Sequence, residues 1–97
     1  MNEQAVEVSV VLPCLNEAVT LAQCIRSAHA AMAEAGLAGE VVVADNGSTD
    51  GSPDIAAAEG ARVVDARLPG YGNALRAGLD AAAGRYLIFA DADMSYD

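Results

Sequence analysis

Four short apolar runs alternate with segments of helical period, and this alternation limits the chain to few folds. The runs are Val6–Leu12, Glu40–Ala44, Ala61–Val64 and Tyr86–Ala90. Each is too short for a helix of ordinary length and suits a strand. Between the first two, Leu21, Ile25, Ala28 and Met32 recur at spacings of four and three, one face of a helix. Strands separated by helices pair in parallel through crossover connections. The expected class is therefore α/β: a three-layer, Rossmann-like open sheet, mainly parallel, with four strands alternating with three helices.

Local signals place the element ends. Pro13 closes the first strand, Asn16 can cap the first helix, and Glu17 suits its first turn. Gly36 and Gly39 end that helix. Ser52-Pro53-Asp54 reads as a cap, a first-turn proline and a dipole-complementing acid, opening a short helix to Glu59. A turn at Pro69–Gly72 leads into a third helix, with Leu75, Leu79 and Ala82 on its buried side. Val41–Val43 and Leu87–Phe89 are apolar without alternation, as in strands covered on both faces.

Composition excludes several functions. With 97 residues the chain holds one small domain, and 54% hydrophobic residues rule out a disordered segment. The net charge of −9, from 14 acidic and 5 basic residues, excludes a nucleic-acid partner and disfavours docking onto anionic lipid. Cys14 and Cys24 have neither the spacing nor the number for zinc or a disulfide framework, so two free, buried thiols are expected. The single histidine, His29, belongs on a helix surface. The N-terminus lacks the charged and apolar regions of a signal peptide, and no apolar run approaches the roughly 20 residues of a membrane span. The expected location is cytoplasmic. Asn46-Gly47-Ser48 is read as a turn.

The chemically distinctive residues fall after strands. Pro13 to Glu17 follow the first, Asp45 to Asp50 the second, Gly70 to Asn73 the third, and Asp91 and Asp93 the fourth. The C-terminal edge of an open α/β sheet is where ligands bind. Two carboxylates one residue apart offer hard oxygen donors to Mg²⁺ or Mn²⁺. Such a cation, bridging to a diphosphate, reconciles an acidic protein with an anionic ligand.

Competing readings of these residues are weaker. Asp45–Gly51 fails as a calcium loop, because Gly47 stands at the third position where an oxygen ligand is needed. Asp50 suits a turn or cap better than a ligand. Gly70, Gly72 and Gly78 do not have dinucleotide-fingerprint spacing, and Gly78 suits close helix packing. Glu17 could serve only the helix dipole, Tyr71 could stack on a ligand or cover the core, and Arg76 and Arg85 read as solvated charges. Asp91-x-Asp93-x-Ser95 superficially fits a phosphohydrolase with Asp91 as nucleophile and Asp93 as acid/base, but that leaves the other strand ends unexplained.

In order and spacing these segments resemble the family 2 glycosyltransferases of GT-A fold, over essentially all 97 residues. Val10-Val11-Leu12-Pro13-Cys14-Leu15-Asn16-Glu17 is similar to that family's opening, and Val42–Gly51 to its second signature. Gly70–Gly78 and Asp91-Ala92-Asp93 are similar to its third and fourth. The nearest subgroup by resemblance is the dolichol- or polyprenyl-phosphate sugar synthases, through Asp91–Asp97. The resemblance implies that Pro13, Leu15 and Glu17 line a nucleoside pocket, that Asp45 accepts a hydrogen bond from the base, and that Val43 packs beside it. It also implies that Asp91, Ala92 and Asp93 form the nucleotide- and metal-binding segment, with Asp91 and Asp93 as the catalytic pair.

The implied activity is transfer of a hexose from a UDP- or GDP-sugar to an acceptor, a polyprenyl phosphate or a sugar, with Mg²⁺ or Mn²⁺. A phosphate acceptor is already a nucleophile and needs no strong general base. By the same resemblance, residues 1–97 correspond to the nucleotide-sugar-binding half of a GT-A domain, truncated after its metal motif. The chain alone is then expected to bind nucleotide weakly with little transfer, and a non-catalytic nucleotide-binding fragment is the alternative. Association of an intact enzyme with the cytoplasmic membrane face stays open.

Overall fold

The structure is a computed structural model that describes residues 6–66 and 70–90, with Tyr71 defined in its backbone only. The elements run β1 (Val8–Cys14), α1 (Ala18–Glu34), β2 (Gly39–Asp45), α2 (Ser52–Ala58), β3 (Arg62–Asp65), α3 (Tyr71–Ala81) and β4 (Tyr86–Phe89). The four strands form one sheet in the order β3-β2-β1-β4, with every pairing parallel. The expected α/β class and the alternation of four strands with three helices are both present.

Two apolar layers sandwich the sheet. On one face Val8, Val10, Leu12, Val41 and Val43 pack against Leu21, Cys24, Ile25 and Met32 of α1 and against Ala56 of α2. On the other, Ala44 and Ala66 pack against Ala74 and Ala77 of α3. The alternation along β1 and β2 follows from the strand period of two. Alanine and glycine on α3 let that helix lie close to the sheet: a Cβ on Gly78 would run into Val11 Cγ1.

β1 runs through Pro13 to Cys14, two residues beyond the expected Val6–Leu12 limit. The proline is tolerated for a geometric reason. Val11 O accepts from Ala90 N on the β4 side, and Cys14 O accepts from Asn46 N on the β2 side. Pro13, two residues after Val11, therefore faces the β4 side beyond that last bond, where its missing N–H leaves no gap in the ladder.

Helix α1 ends as its glycine predicts. Gly36 adopts φ 72°, Leu37 N donates to Met32 O and Gly36 N to Ala33 O, a Schellman arrangement.

Four expectations need correction. Asn16 is not the cap of α1. It lies outside the helix at φ 54°, and Glu17 holds the cap position without a side-chain capping bond. Ser52 is likewise the first residue of α2 and not its cap, which is Gly51 at φ 88°. Leu79 on α3 is 47% exposed, whereas Ala74 and Gly78 are buried. Leu79 falls to the exposed side because α3 packs on the sheet through its small residues. Nor is β4 covered on both faces: Ile88, on the α1 side, is 51% and Phe89 45% exposed. Among the described residues β4 is an edge strand with β1 as its only neighbour.

Candidate functional site

The strand order sets the site. From β1 the chain moves to β2 and β3 on one side, and β4 returns on the other side of β1. The crevice at the C-terminal ends of β1 and β4 is therefore a topological switch point, the usual place for a ligand in an open α/β sheet. Among the described residues, the loops after β1 and after β2 open there.

These two loops are bonded into one unit. Asn16 N donates to Ser48 Oγ at 2.8 Å, and Thr49 N donates to Asn16 Oδ1 at 2.8 Å. Ala18 N donates to Asp50 Oδ2 at 3.0 Å, and Glu17 N donates to Ser52 Oγ at 3.2 Å. Ser52 in turn gives its N–H and its hydroxyl to Asp50 Oδ1. The N–H groups of Glu17 and Ala18, at the start of α1, are thus satisfied from across the edge. Asn16 tolerates the left-handed backbone that aims its amide there. Asp50 acts as a cap, as its sequence context suggests, but on the neighbouring helix. The Ser52 hydroxyl foremost, then the Ala18 and Ser52 amides, hold its carboxyl below the ordinary value despite some opposing desolvation.

Asp45 lies buried at the end of β2. Its Oδ2 accepts from Gly47 N at 3.1 Å and Ser48 N at 2.9 Å, and its Oδ1 accepts from Ser48 Oγ. A carboxylate offers about four acceptor positions, so these bonds leave room for one more donor. Cys14 ends β1 beside it as a free, buried thiol, its pKa raised by burial in spite of hydrogen bonds from Ser52 and Ser48. Cys24 is also a buried thiol, outside any disulfide.

The other expected site residues take distinct places. Pro13 is buried at the end of β1, Leu15 is 53% exposed on the rim, and Glu17 is half-buried at the start of α1. Val43 is fully buried in the core, so it supports the edge from beneath and presents no surface to the crevice. Asp91, Ala92 and Asp93 follow β4 in sequence and lie outside the described residues, as does the side chain of Tyr71. Arg76 and Arg85 are exposed, as solvated charges would be, and the Arg85 guanidinium sits 5.8 Å from the centre of the Tyr86 ring. The cross-loop ties of Asn16, Ser48 and Ser52 have one sequence signal, the polar run Asn46–Ser52.

An apolar hollow lies away from this edge. About 300 Å³ opens between α1 and the exposed side of β4, lined by Ala28, Met32, Leu37 and Ile88, with almost no polar surface. It is an uncovered flank of the sheet, whereas the switch point carries the polar groups. No described helix is long and apolar enough to cross a membrane.

Comparisons with known proteins agree with this architecture. The model of the family "Glycosyl transferase family 2" matches residues 9–97. The chain is 45% identical over 96 residues to the low-salt glycan biosynthesis hexosyltransferase Agl6 of Haloferax volcanii, covering 99% of this chain and 23% of that protein. Mannosyl-3-phosphoglycerate synthase from Rubrobacter xylanophilus superposes with a TM-score of 0.85 at 31% identity, over 95% of this chain and 32% of that one. Glucosyl-3-phosphoglycerate synthase from Mycobacterium tuberculosis, solved with Mn²⁺, UDP and glucosyl-3-phosphoglycerate, gives a TM-score of 0.76 at 37% identity, over 89% of this chain and 33% of that one. The chain thus spans a quarter to a third of the length of these relatives.

Proposed function

Starting from a chain that belongs to glycosyl transferase family 2, we propose that residues 1–97 form the donor half-site of an enzyme that transfers a hexose from a nucleoside-diphosphate sugar. The observation that carries this reading is the bonded pair of loops at the switch point, with the buried Asp45 carboxylate between them. A similar synthase has been solved with UDP and Mn²⁺.

In this reading the nucleoside lies across the ends of β1 and β2. Leu15 and Pro13 supply apolar contact to base and ribose, and Glu17 borders the pocket. Asp45 uses its remaining acceptor position for a base N–H. Its existing bonds fix the carboxylate before the ligand arrives, so little ordering cost attaches to binding.

Asp91 and Asp93, the pair delivered by β4, are the groups we assign to a divalent cation, with diphosphate oxygens completing the shell. Two carboxylates have the donor chemistry that Mg²⁺ and Mn²⁺ prefer, and among the described residues no cluster of three or more His, Cys, Asp or Glu side chains could hold a metal. The cation's contribution when bound is to neutralise charge on the departing nucleoside diphosphate. Ala92, between the two acids in sequence, is assigned with them to the nucleotide-binding segment.

For the acceptor we propose a phosphate-bearing molecule, polyprenyl phosphate by resemblance. The names of the similar synthases favour 3-phosphoglycerate as the alternative. We further propose that the 97-residue chain alone binds donor nucleotide weakly and transfers little sugar. Calorimetric titration with UDP-glucose and GDP-mannose, each with and without Mn²⁺, tests the donor reading. Metal-enhanced binding to one of them, lost in Asp93→Ala, supports it and identifies the base. No binding to either by a folded sample overturns it.

A further inference from the structure

At the opposite, N-terminal edge of the sheet the side chains form a second polar cluster that no ligand reading uses. Glu40 at the start of β2 is its centre. Its Oε2 accepts from Ser9 Oγ at 2.6 Å and from Ala83 N at 2.8 Å. Its Oε1 accepts from Arg62 Nη2 at 3.0 Å, and the same Nη2 donates to Ala81 O at 2.6 Å. Ser9, fully buried, accepts from Gly84 N at 2.8 Å. One carboxylate thus ties β1, β2, β3, the end of α3 and the α3–β4 connection together.

That connection matters because β4 has little else to hold its register. Among the described residues it pairs with β1 alone, over Val8–Val11 and Tyr86–Phe89. A slip of one residue would turn its side chains to the wrong face, but a slip of two preserves the faces. A two-residue slip moves the end of the strand by roughly 6–7 Å, far beyond the reach of a metal–oxygen bond. Gly84 blocks it. A Cβ there would lie 2.6 Å from Ser9 N, 2.7 Å from Ser9 Oγ and 2.8 Å from the Val8 carbonyl carbon. Slipping by two brings Ala82 or Tyr86 into that place, and each carries a Cβ. Glu40 and Ser9 then hold the only residue type that fits.

We propose that Glu40, acting with Ser9 and Gly84, is a positioning residue of the donor site: from the far edge of the sheet it fixes the register of β4, the strand that leads in sequence to Asp91 and Asp93. This rests on the donor-site reading above, and its test separates the two. In the full chain, Glu40→Gln removes the charge that binds Ala83 N, Ser9 and Arg62. Ser9→Ala removes one link without touching a charge and serves where Glu40→Gln folds poorly.

Amide exchange gives the first readout, independent of any ligand. Tyr86 N and Ala90 N, bonded to Glu7 O and Val11 O, should exchange about tenfold faster or more, while Asn46 N and Ala66 N, in the β1–β2–β3 part, change by less than about twofold. Acceleration throughout the sheet, or none at β4, overturns the proposal. UDP titration gives the second. The gain in affinity on adding Mn²⁺ should fall in the variants, with metal-free affinity kept. A loosened β4 with an undiminished Mn²⁺ gain also overturns the proposal. A wild-type chain that binds no UDP overturns the donor reading instead, and the exchange experiment still decides what Glu40 does to β4.

Discussion

Gly78 and Gly72 lie on the same helix, and the same substitution should act on them in opposite directions. An added methyl at Gly72 meets nothing within 4 Å. At Gly78 it would enter the van der Waals envelope of Val11 Cγ1, with Val11 Cβ at 3.5 Å and Ala44 Cβ at 3.6 Å. Val11 is fully buried and β-branched, so it cannot turn aside cheaply. The helix must lift instead, and a gap of about 0.5–1 Å forfeits a quarter to a half of each contact along Ala74 and Ala77. Overpacking of this kind costs about 1–3 kcal/mol. The helical preference for alanine over glycine, about 1 kcal/mol in a helix interior and less near its end, favours both variants. Gly78→Ala should therefore be less stable than Gly72→Ala by about 1–3 kcal/mol, a gap of roughly 5–20 °C in Tm for a domain of this size. Thermal unfolding followed by far-ultraviolet circular dichroism suffices, since the chain has no tryptophan. Adding Val11→Ala should relieve the clash and give a coupling of at least about 0.5 kcal/mol. A Gly78→Ala chain as stable as Gly72→Ala would refute the close packing of α3.

Three other outcomes are expected. Asp45→Ala removes the acceptor of Gly47 N, Ser48 N and Ser48 Oγ; urea titration should register a loss of about 1–3 kcal/mol, and calorimetry a loss of donor nucleotide binding. Asp50 has its pKa lowered from 3.8, so between the folded and unfolded values the unfolded chain binds more protons and stability rises with pH. Its contribution should be complete above the unfolded value and disappear as pH falls through the folded one, and Asp50→Asn should flatten that acid limb in urea midpoints measured across pH. Cys14 and Cys24 are both buried, and burial raises the Cys14 pKa; iodoacetamide at about pH 8 should leave both intact in the native chain and alkylate both in urea, whereas rapid native labelling of Cys14 would contradict its placement.

The features legible in the sequence were those set by periodicity. Leu21, Ile25 and Met32 announce the buried face of α1, and the valines of β2 announce a central strand. The helix starts were not legible, because their capping is not local: Asp50 and Ser52 serve α1 from more than thirty residues away. The buried face of α3 was misjudged through Leu79, since size suggested burial while close approach selected Ala74 and Gly78. β4 carries apolar residues fit for a covered strand, yet its cover is not among the described residues. On the functional side, Pro13, Leu15, Glu17 and Asp45 do gather at one edge, because parallel strands bring their C-terminal ends together. Val43 lies beneath that edge and not in it. Glu40 and Ser9 have the pattern of ordinary strand residues; the tie between Ser9 and Gly84 spans 75 positions and no local pattern encodes it.

The central claim is that nucleotide and cation meet at the C-terminal ends of β1, β2 and β4. The most direct measurement is amide NMR of the chain with UDP, first with Mg²⁺ and then with Mn²⁺. The account expects UDP shifts at Leu15–Glu17 and Asn46–Ser48, and Mn²⁺ broadening strongest after β4 around Asp91 and Asp93, with Ser9, Glu40, Arg62 and Gly84 at the far edge unaffected. Broadening centred on that far edge or on the α1–β4 flank, or no shifts at saturating UDP in a folded sample, would contradict it.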